Sequence, residues 1–285
     1  MSGPGASPPT IAACFRAARE QLVGAGIAEP DTDLRLLMAQ VLNTAPGQII
    51  LHLRDPIGAE NIAAFEALVA RRAAREPLSH ILGKREFYGR MFEISPAVLD
   101  PRPETETLVA LALQEPFERL LDLGTGSGCI ALTLLAERPR AKACAVDLSE
   151  QALDVARRNA APLGVADRVD FARSDWWQAV DGRFDLIVSN PPYISAEAYQ
   201  GLAPELAFEP KIALTPGGDG LDAYRQIAAG LSAHLTVGGR VLVEFGAGQG
   251  DAVTGIFRAK GLTQSTLHKD FDARDRVLSA RAPAA

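Results

Sequence analysis

The stretch Arg119-Leu-Leu-Asp122-Leu-Gly124-Thr-Gly126-Ser-Gly128-Cys-Ile-Ala-Leu132 runs from an apolar segment through three alternating glycines into a second apolar segment. A short strand-like run followed at once by helix formers is the beginning of an α/β unit. Glycines at such a turn permit positive φ and let the backbone approach a ligand with no Cβ in the way. A dinucleotide fingerprint needs G-x-G-x-x-G, but the third residue after Gly126 is Cys129, which weakens a nicotinamide reading. What remains is G-x-G-x-G, with Asp122 two residues before the first glycine. Asp147 lies 23 residues after Gly124, near the ~20-residue spacing at which a carboxylate meets ribose hydroxyls. An adenosine ligand follows. Acids beside the loop repel a phosphate or carboxylate and attract an ammonium group, and S-adenosylmethionine supplies ribose hydroxyls, an α-ammonium and a sulfonium.

Outward from this stretch, strands and helices alternate to the end of the chain. The pattern predicts strands at Arg119–Leu123, Lys142–Asp147, Arg168–Ala172, Phe184–Ser189 and Arg240–Phe245, with helices at Cys129–Glu137, Glu150–Ala160, Ala223–Ala233 and Gly250–Lys260. Leu262–Leu267 and Arg276–Ala280 read as two strands with no helix between them, hence an antiparallel pair at one edge. The expected fold is α/β: a Rossmann-like domain with a mostly parallel seven-stranded sheet and an antiparallel edge. Upstream, Ile11, Cys14, Phe15 and Leu22, then Leu34, Leu37 and Val41, then Ile62, Phe65, Leu68 and Val69 recur at helical spacing. Aromatic and β-branched residues around Tyr88-Gly89-Arg90 read as a hairpin. The expected organisation is a flexible lead-in over 1–9, a helical domain over 10–84, a hairpin and linker over 85–105, and the α/β domain over 106–285.

Composition excludes several classes. Of 285 residues, 47% are hydrophobic and 22% charged, as in ordinary soluble proteins. A net charge of −6 offers no overall field for gathering nucleic acid. Residues 71–90 carry six basic side chains, Arg71, Arg72, Arg75, Lys84, Arg85 and Arg90, against Glu76 and Glu86. That strip reads as a solvated helix face, with a docking surface for an acidic or RNA-bound partner as the sharper reading. Cys14, Cys129 and Cys144 are too few for a disulfide framework and, like the four scattered histidines, lack metal-ligand spacing, so no metal and a cytoplasmic location are expected. No apolar run reaches the ~18–20 residues needed to cross a bilayer, so no membrane is expected.

Two segments should join the glycine loop at the carboxyl edge of the sheet. In Ser174-Asp175-Trp176-Trp177, Asp175 can accept from an exocyclic amine and Trp176 can cover an adenine, while Trp177 reads equally well as a core aromatic. Asn190-Pro191-Pro192-Tyr193 ends the fourth strand. Its prolines fix the backbone, so the Asn190 side-chain oxygen and the Pro191 carbonyl form two preorganised acceptors suited to a planar NH₂, and Tyr193 offers a stacking face. An amide nitrogen is a poor nucleophile because its lone pair is delocalised. Accepting both N–H bonds turns that pair toward an electrophile and stabilises the charge that grows on nitrogen. These residues reach "methylates a planar NH₂" and leave the target open.

With these residues in place, the sequence resembles the HemK/PrmC family of peptide chain release factor glutamine methyltransferases. The likeness covers nearly the whole chain, through "REPLSHILGKREFYG" at 75–89, "PRPETETLV" at 101–109, "LDLGTGSGCIAL" at 121–132, "AVDLS" at 145–149, "SDWW" at 174–177, "SNPPYI" at 189–194, "FEP" at 208–210 and "GGDGLDAYRQI" at 217–227. The resemblance implies methylation, from S-adenosylmethionine, of the glutamine nitrogen in the Gly-Gly-Gln loop of class 1 release factors. It implies that Gly124, Thr125, Gly126, Ser127 and Gly128 hold the methionine part, Asp147 the ribose and Trp176 the adenine. Asn190 would touch both cofactor and glutamine, with Pro191, Pro192 and Tyr193 completing the substrate site; Asn190, Pro191 and Tyr193 are the expected catalytic group. It implies that the helical domain over 10–84 is a substrate-recognition domain that grips the release factor and that 106–285 is a Rossmann-like, S-adenosylmethionine-dependent methyltransferase domain; a protein with that task could work as a monomer. Asp100 and Trp177 stand where relatives more often differ. Rival readings are a ribosomal-protein glutamine as target, N6-adenine methylation of nucleic acid, which the charge and the lack of a basic recognition domain disfavour, and a cofactor-binding scaffold, which would not need an intact Asn190–Tyr193.

Overall fold

The computed structural model describes residues 8–283, so most of the expected lead-in, residues 1–7, lies outside the described residues. The chain divides into two compact units, one of residues 1–83 with Pro204–Phe208, the other of Lys84–Ala203 with Glu209–Ala285. The hairpin expected as a linker therefore belongs to the second unit, and a five-residue piece from within 106–285 belongs to the first.

The first unit is built from α1 (Ile11–Gly24), α2 (Pro30–Leu42), a 3-10 turn over Pro46–His52, α3 (Ala59–Ala73) and α4 (Leu78–Leu82). Thr10 caps α1 by accepting from the Ala13 N–H, and Asn43 closes α2 in the left-handed conformation. The apolar stripes read from the sequence meet in one core, where Leu22, Leu34, Leu37, Met38 and Phe65 are fully buried. The basic strip is more neutralised than its sequence suggests. Arg72 Nε donates to Asp33 Oδ2 at 2.7 Å, Arg71 Nη2 to Glu76 Oε1 at 2.6 Å, and Arg75 Nη2 pairs with Glu205 at 2.7 Å. Glu205 is what ties Pro204–Phe208 to these helices, and its carboxylate is held below the usual range by Arg75 and Arg72 against the opposing effect of burial.

The second unit begins with the hairpin β1 (Lys84–Phe87) and β2 (Arg90–Glu93), then α5 (Thr105–Ala112). The sheet follows as β3 (Arg119–Leu123), α6 (Cys129–Glu137), β4 (Lys142–Asp147), α7 (Glu150–Ala160), β5 (Val169–Arg173) and β6 (Phe184–Ser189). After the short helices α8 (Ala196–Tyr199) and α9 (Lys211–Leu214) come α10 (Asp222–His234), β7 (Leu235–Glu244), α11 (Gly250–Arg258), β8 (Thr263–Lys269) and β9 (Asp275–Arg281). The strand order is β5-β4-β3-β6-β7-β9-β8, parallel from β5 to β7 and antiparallel through β9 and β8, which is the expected seven-stranded sheet with its antiparallel edge.

Parallel strands flanked by helices are buried on both faces and need continuous apolar runs. Leu120, Leu121 and Leu123, and Leu186, Ile187 and Val188, are all fully buried. One core lies under α5, α6 and α7, the other under α10 and α11. The main departure from the expected elements is β7, which starts at Leu235 instead of Arg240: a register shift against β6 between Phe184 and Leu186 absorbs Gly238 and Gly239 within the strand. The chain enters the sheet at β3, builds outward to β5, and returns to β6 beside β3. Such a reversal opens a crevice at the carboxyl ends of the two central strands, where ligands collect in this class of sheet.

Candidate active site

Both central strands end in the motifs singled out by sequence. After β3, Gly124, Gly126 and Gly128 have φ of +74°, +56° and +80°. At Gly128 a Cβ would sit 2.8 Å from Leu132 Cδ1 and 3.2 Å from Ala156 Cβ, so the loop, α6 and α7 close together only around glycine. The Gly124 and Thr125 N–H groups both donate to the Val146 carbonyl, at 2.9 and 3.0 Å, which locks the loop to β4. Asp147, at the end of β4, accepts from Gly126 N on Oδ2 and from Ser149 N on Oδ1, both at 2.9 Å.

A cavity of about 450 Å³ opens over this edge. It is lined by Gly124, Thr125, Gly126, Ser127, Asp147 and Trp176, together with Asn190 and Pro192. Gly128, Pro191 and Tyr193 are not among its lining residues. Gly128 acts behind the loop through the packing just described, Pro191 is buried, and Tyr193 packs against the core under α10 and α11, its phenol pushed up to about 12 chiefly by burial. The Tyr193 carbonyl accepts from Gln249 Nε2 at 2.9 Å, which anchors the segment to α11's entry. Trp176 sits at φ +51°, a conformation that costs a non-glycine residue of order 1 kcal/mol and is commonly held at functional sites. Ser174 supports that turn by donating from Oγ to the Trp176 carbonyl at 2.8 Å and accepting from Ala179 N at 2.9 Å. Asp175 lines the cavity from an exposed position. Trp177 instead stacks on His234, centroids 4.9 Å apart, and donates to the Gln226 carbonyl at 2.8 Å, so it serves packing.

Asn190 marks what the cavity accepts: its Nδ2 donates to Thr105 Oγ1 at 3.2 Å while its Oδ1, at the cavity wall, is buried with no partner. A buried polar atom left unpaired costs about 1–3 kcal/mol, so Asn190 Oδ1 is poised for a ligand donor. Asp122 is fully buried behind the cavity wall; its Oδ2 accepts from Thr125 Oγ1 at 2.7 Å, which steadies the glycine loop, and burial pushes its carboxyl up to about 7. The volume, the doubly anchored Asp147 carboxylate with lone pairs to spare, the open glycine backbone and the flat Trp176 suit an adenosine carrying an amino-acid tail. Among the described residues no cluster of potential metal ligands occurs.

Thr105 and Glu244 were missed by sequence reading. Thr105 begins α5 inside the "PRPETE" segment, and Glu244 is the one charge in the apolar run Val241-Leu-Val-Glu-Phe245. A carboxylate inside a central-strand pattern was the available signal.

Two family models match the chain: the PrmC N-terminal domain over residues 13–83 and the methyltransferase small domain over 99–221. The release factor glutamine methyltransferase of Cereibacter sphaeroides is 55% identical over 272 residues, covering 95% of this chain and 98% of that protein. The protein of the same description from Rhodospirillum rubrum is 47% identical, covering 92% of this chain and 82% of its own length. Among solved structures, a methyltransferase from Pyrococcus furiosus superposes with a TM-score of 0.53 at 18% identity over 76% of this chain and 98% of that one, a likeness of fold.

Proposed function

This chain belongs to the release factor glutamine methyltransferases, and from that membership we infer that it methylates the side-chain amide nitrogen, N5, of the glutamine in the Gly-Gly-Gln motif of class 1 peptide chain release factors. The methyl donor is S-adenosylmethionine, whose sulfonium supplies an electrophilic methyl group. Gly124 through Ser127 would hold its methionine part, Asp147 its ribose and Trp176 its adenine, with Gly128 shaping the loop from behind. The single observation that carries the reading is the Asn190 amide, pinned through Nδ2 with Oδ1 left as an unpartnered acceptor beside the cavity.

Asn190 Oδ1 and the Pro191 carbonyl accept the two N–H bonds of the substrate carboxamide. That grip orients the nitrogen and stabilises the positive charge developing on it without removing a proton first. An N-alkylated, protonated amide is a strong acid, so its surplus proton passes to water after the new N–C bond forms. Pro192 and Tyr193 complete the substrate site, Tyr193 by fixing the segment through its carbonyl. The helical unit is the substrate-recognition domain, a reading supported by its match to the PrmC N-terminal domain. We extend the reading to a protein that acts in the cytoplasm, and can act as a monomer, on protein rather than bare nucleic acid or membrane; the net charge of −6 speaks against gathering nucleic acid, and three free thiols suit a reducing compartment.

The test is Asn190→Ala. Methyl transfer to release factor is expected to fall at least about a hundredfold, in the range seen when one oxyanion-type hydrogen-bonding group is removed, while calorimetric affinity for S-adenosylmethionine changes little. Transfer at the wild-type rate would refute the acceptor cradle.

A further inference from the structure

Glu244 closes β7 and is 1% exposed; Thr105 opens α5 and is 2% exposed. Thr105 Oγ1 donates to Glu244 Oε2 at 2.6 Å and accepts from Asn190 Nδ2 at 3.2 Å. The three side chains form a directed chain. An ionised carboxylate only accepts, and a threonine hydroxyl has a single hydrogen. Once that hydrogen is given to Glu244, Thr105 can offer Asn190 nothing but a lone pair. Asn190 must then present its NH₂ to Thr105, and its oxygen is left for a ligand.

We propose that Glu244 and Thr105 are positioning residues that hold the Asn190 amide in the one of its two flip states in which oxygen, not nitrogen, meets the substrate carboxamide. The inference rests on the reading of Asn190 given above. The opposite flip would set an NH₂ group against the substrate's own NH₂ and leave donors facing donors. An asparagine with no such chain behind it would sample both states, since its two ends have nearly the same shape.

The groups around Glu244 make the device sensitive to pH. Burial pushes its carboxyl up to about 7, with the Thr105 hydrogen bond, then Arg276 and Arg102, drawing it down and Glu104 pushing it up. The Tyr193 and Tyr224 phenols also face it, and Tyr224 Oη donates to the Glu244 backbone carbonyl at 3.0 Å. When protonated, Glu244 can donate to Thr105, whose hydrogen is then free to turn toward Asn190. Direction is enforced on the alkaline side and released on the acid side.

The test uses Thr105→Val, Thr105→Ser and Glu244→Gln in the full-length enzyme, with release factor and S-adenosylmethionine. Thr105→Val, which keeps shape and removes the hydroxyl, is expected to lower kcat at pH 8 by about tenfold or more, the effect of losing one hydrogen bond to a charged group. Its affinity for S-adenosylmethionine should stay within about threefold, and Thr105→Ser should restore most of kcat. A second readout needs no turnover. Asn190 is one of four asparagines in the chain, so its side-chain ¹⁵N resonance can be assigned by substitution and followed against pH. It is expected to titrate near pH 7 in the wild type and to be flat in Glu244→Gln. Wild-type kcat in Thr105→Val, an equal loss in Thr105→Ser, or a wild-type Asn190 resonance indifferent to pH would each overturn the proposal. If Asn190→Ala is inactive and Thr105→Val is not, this inference alone fails; if Asn190→Ala is active, the reading beneath it fails as well.

Discussion

The Gly126 N–H donates to Asp147 Oδ2 at 2.9 Å, so the glycine loop after β3 and the acid that ends β4 are one rigid part. Because Ser149 N holds the other oxygen, the carboxylate cannot turn, and each oxygen keeps a lone pair for a hydroxyl. Asp147→Ala is expected to weaken S-adenosylmethionine binding by about tenfold or more, since hydrogen bonds to a charged group contribute ~1.5–3 kcal/mol each. Isothermal calorimetry checks this, and an unchanged Kd would contradict the assignment.

Gly220 backs the segment that carries Asn190. It has φ +80°, and a Cβ there would lie 2.4 Å from the Tyr193 carbonyl oxygen and 3.1 Å from Ser195 N. Gly220→Ala should therefore displace residues 193–195 and depress kcat, while cofactor affinity, assigned to Gly124–Ser127, Asp147 and Trp176, holds. A crystal structure of the variant with an unmoved Tyr193 carbonyl would dispose of this argument.

Asn159, 5% exposed on α7, bridges three backbone groups. Its Nδ2 donates to the Ser127 carbonyl at 2.9 Å and to the Glu93 carbonyl at 3.1 Å, and its Oδ1 accepts from Glu93 N at 2.7 Å. Asn159→Ala leaves these buried groups unpaired and should cost about 2–4 kcal/mol in urea unfolding. A loss below about 0.5 kcal/mol, the usual effect of a surface change, would show that water replaces the side chain.

Burial raises two carboxyls from ordinary values of 3.8 and 4.5 to about 7, those of Asp122 and Glu244. Between the unfolded and folded values the folded state holds more protons, so each acid lowers stability as pH rises through that window, with the full cost present above about 7. His268, lowered by burial, acts in the opposite sense near its own range. Comparison with Glu244→Gln isolates one acid. At ~1.4 kcal/mol per pKa unit, the variant's stability relative to wild type should rise by about 2.5 kcal/mol between pH 5 and pH 8. An identical pH slope in both proteins would mean that Glu244 is not held protonated by its burial.

Much of the second unit was legible because parallel strands buried on both faces announce themselves as unbroken apolar runs: Lys142–Asp147 and Phe184–Ser189 were read to the residue. Leu235–Gly239 was not, because paired glycines signal a turn locally and only the register with β6 shows them inside a strand. In the site, Asp147 and Asn190 could be found because each lies at the carboxyl end of a strand, at the ligand edge. Thr105 could not, since its meaning depends on Glu244, 139 residues away, and Asn190, 85 residues away. Tyr193 looked like a stacking face from its chemistry, yet its ring turns to the core and its carbonyl carries the anchoring bond to Gln249. Arg72 and Arg75 looked solvated because Asp33 and Glu205, which pair with them, are distant in sequence.

The central claim is that this chain methylates the loop glutamine of a release factor. Purified release factor, with its Gly-Gly-Gln loop either intact or carrying Asn in place of Gln, is incubated with the enzyme and methyl-labelled S-adenosylmethionine, then digested and read by mass spectrometry. The account predicts a single added methyl on the glutamine side chain of the intact loop and none on the shortened amide, whose nitrogen falls about one C–C bond short of Asn190. Label appearing elsewhere in the release factor, or equally on both loops, would contradict it.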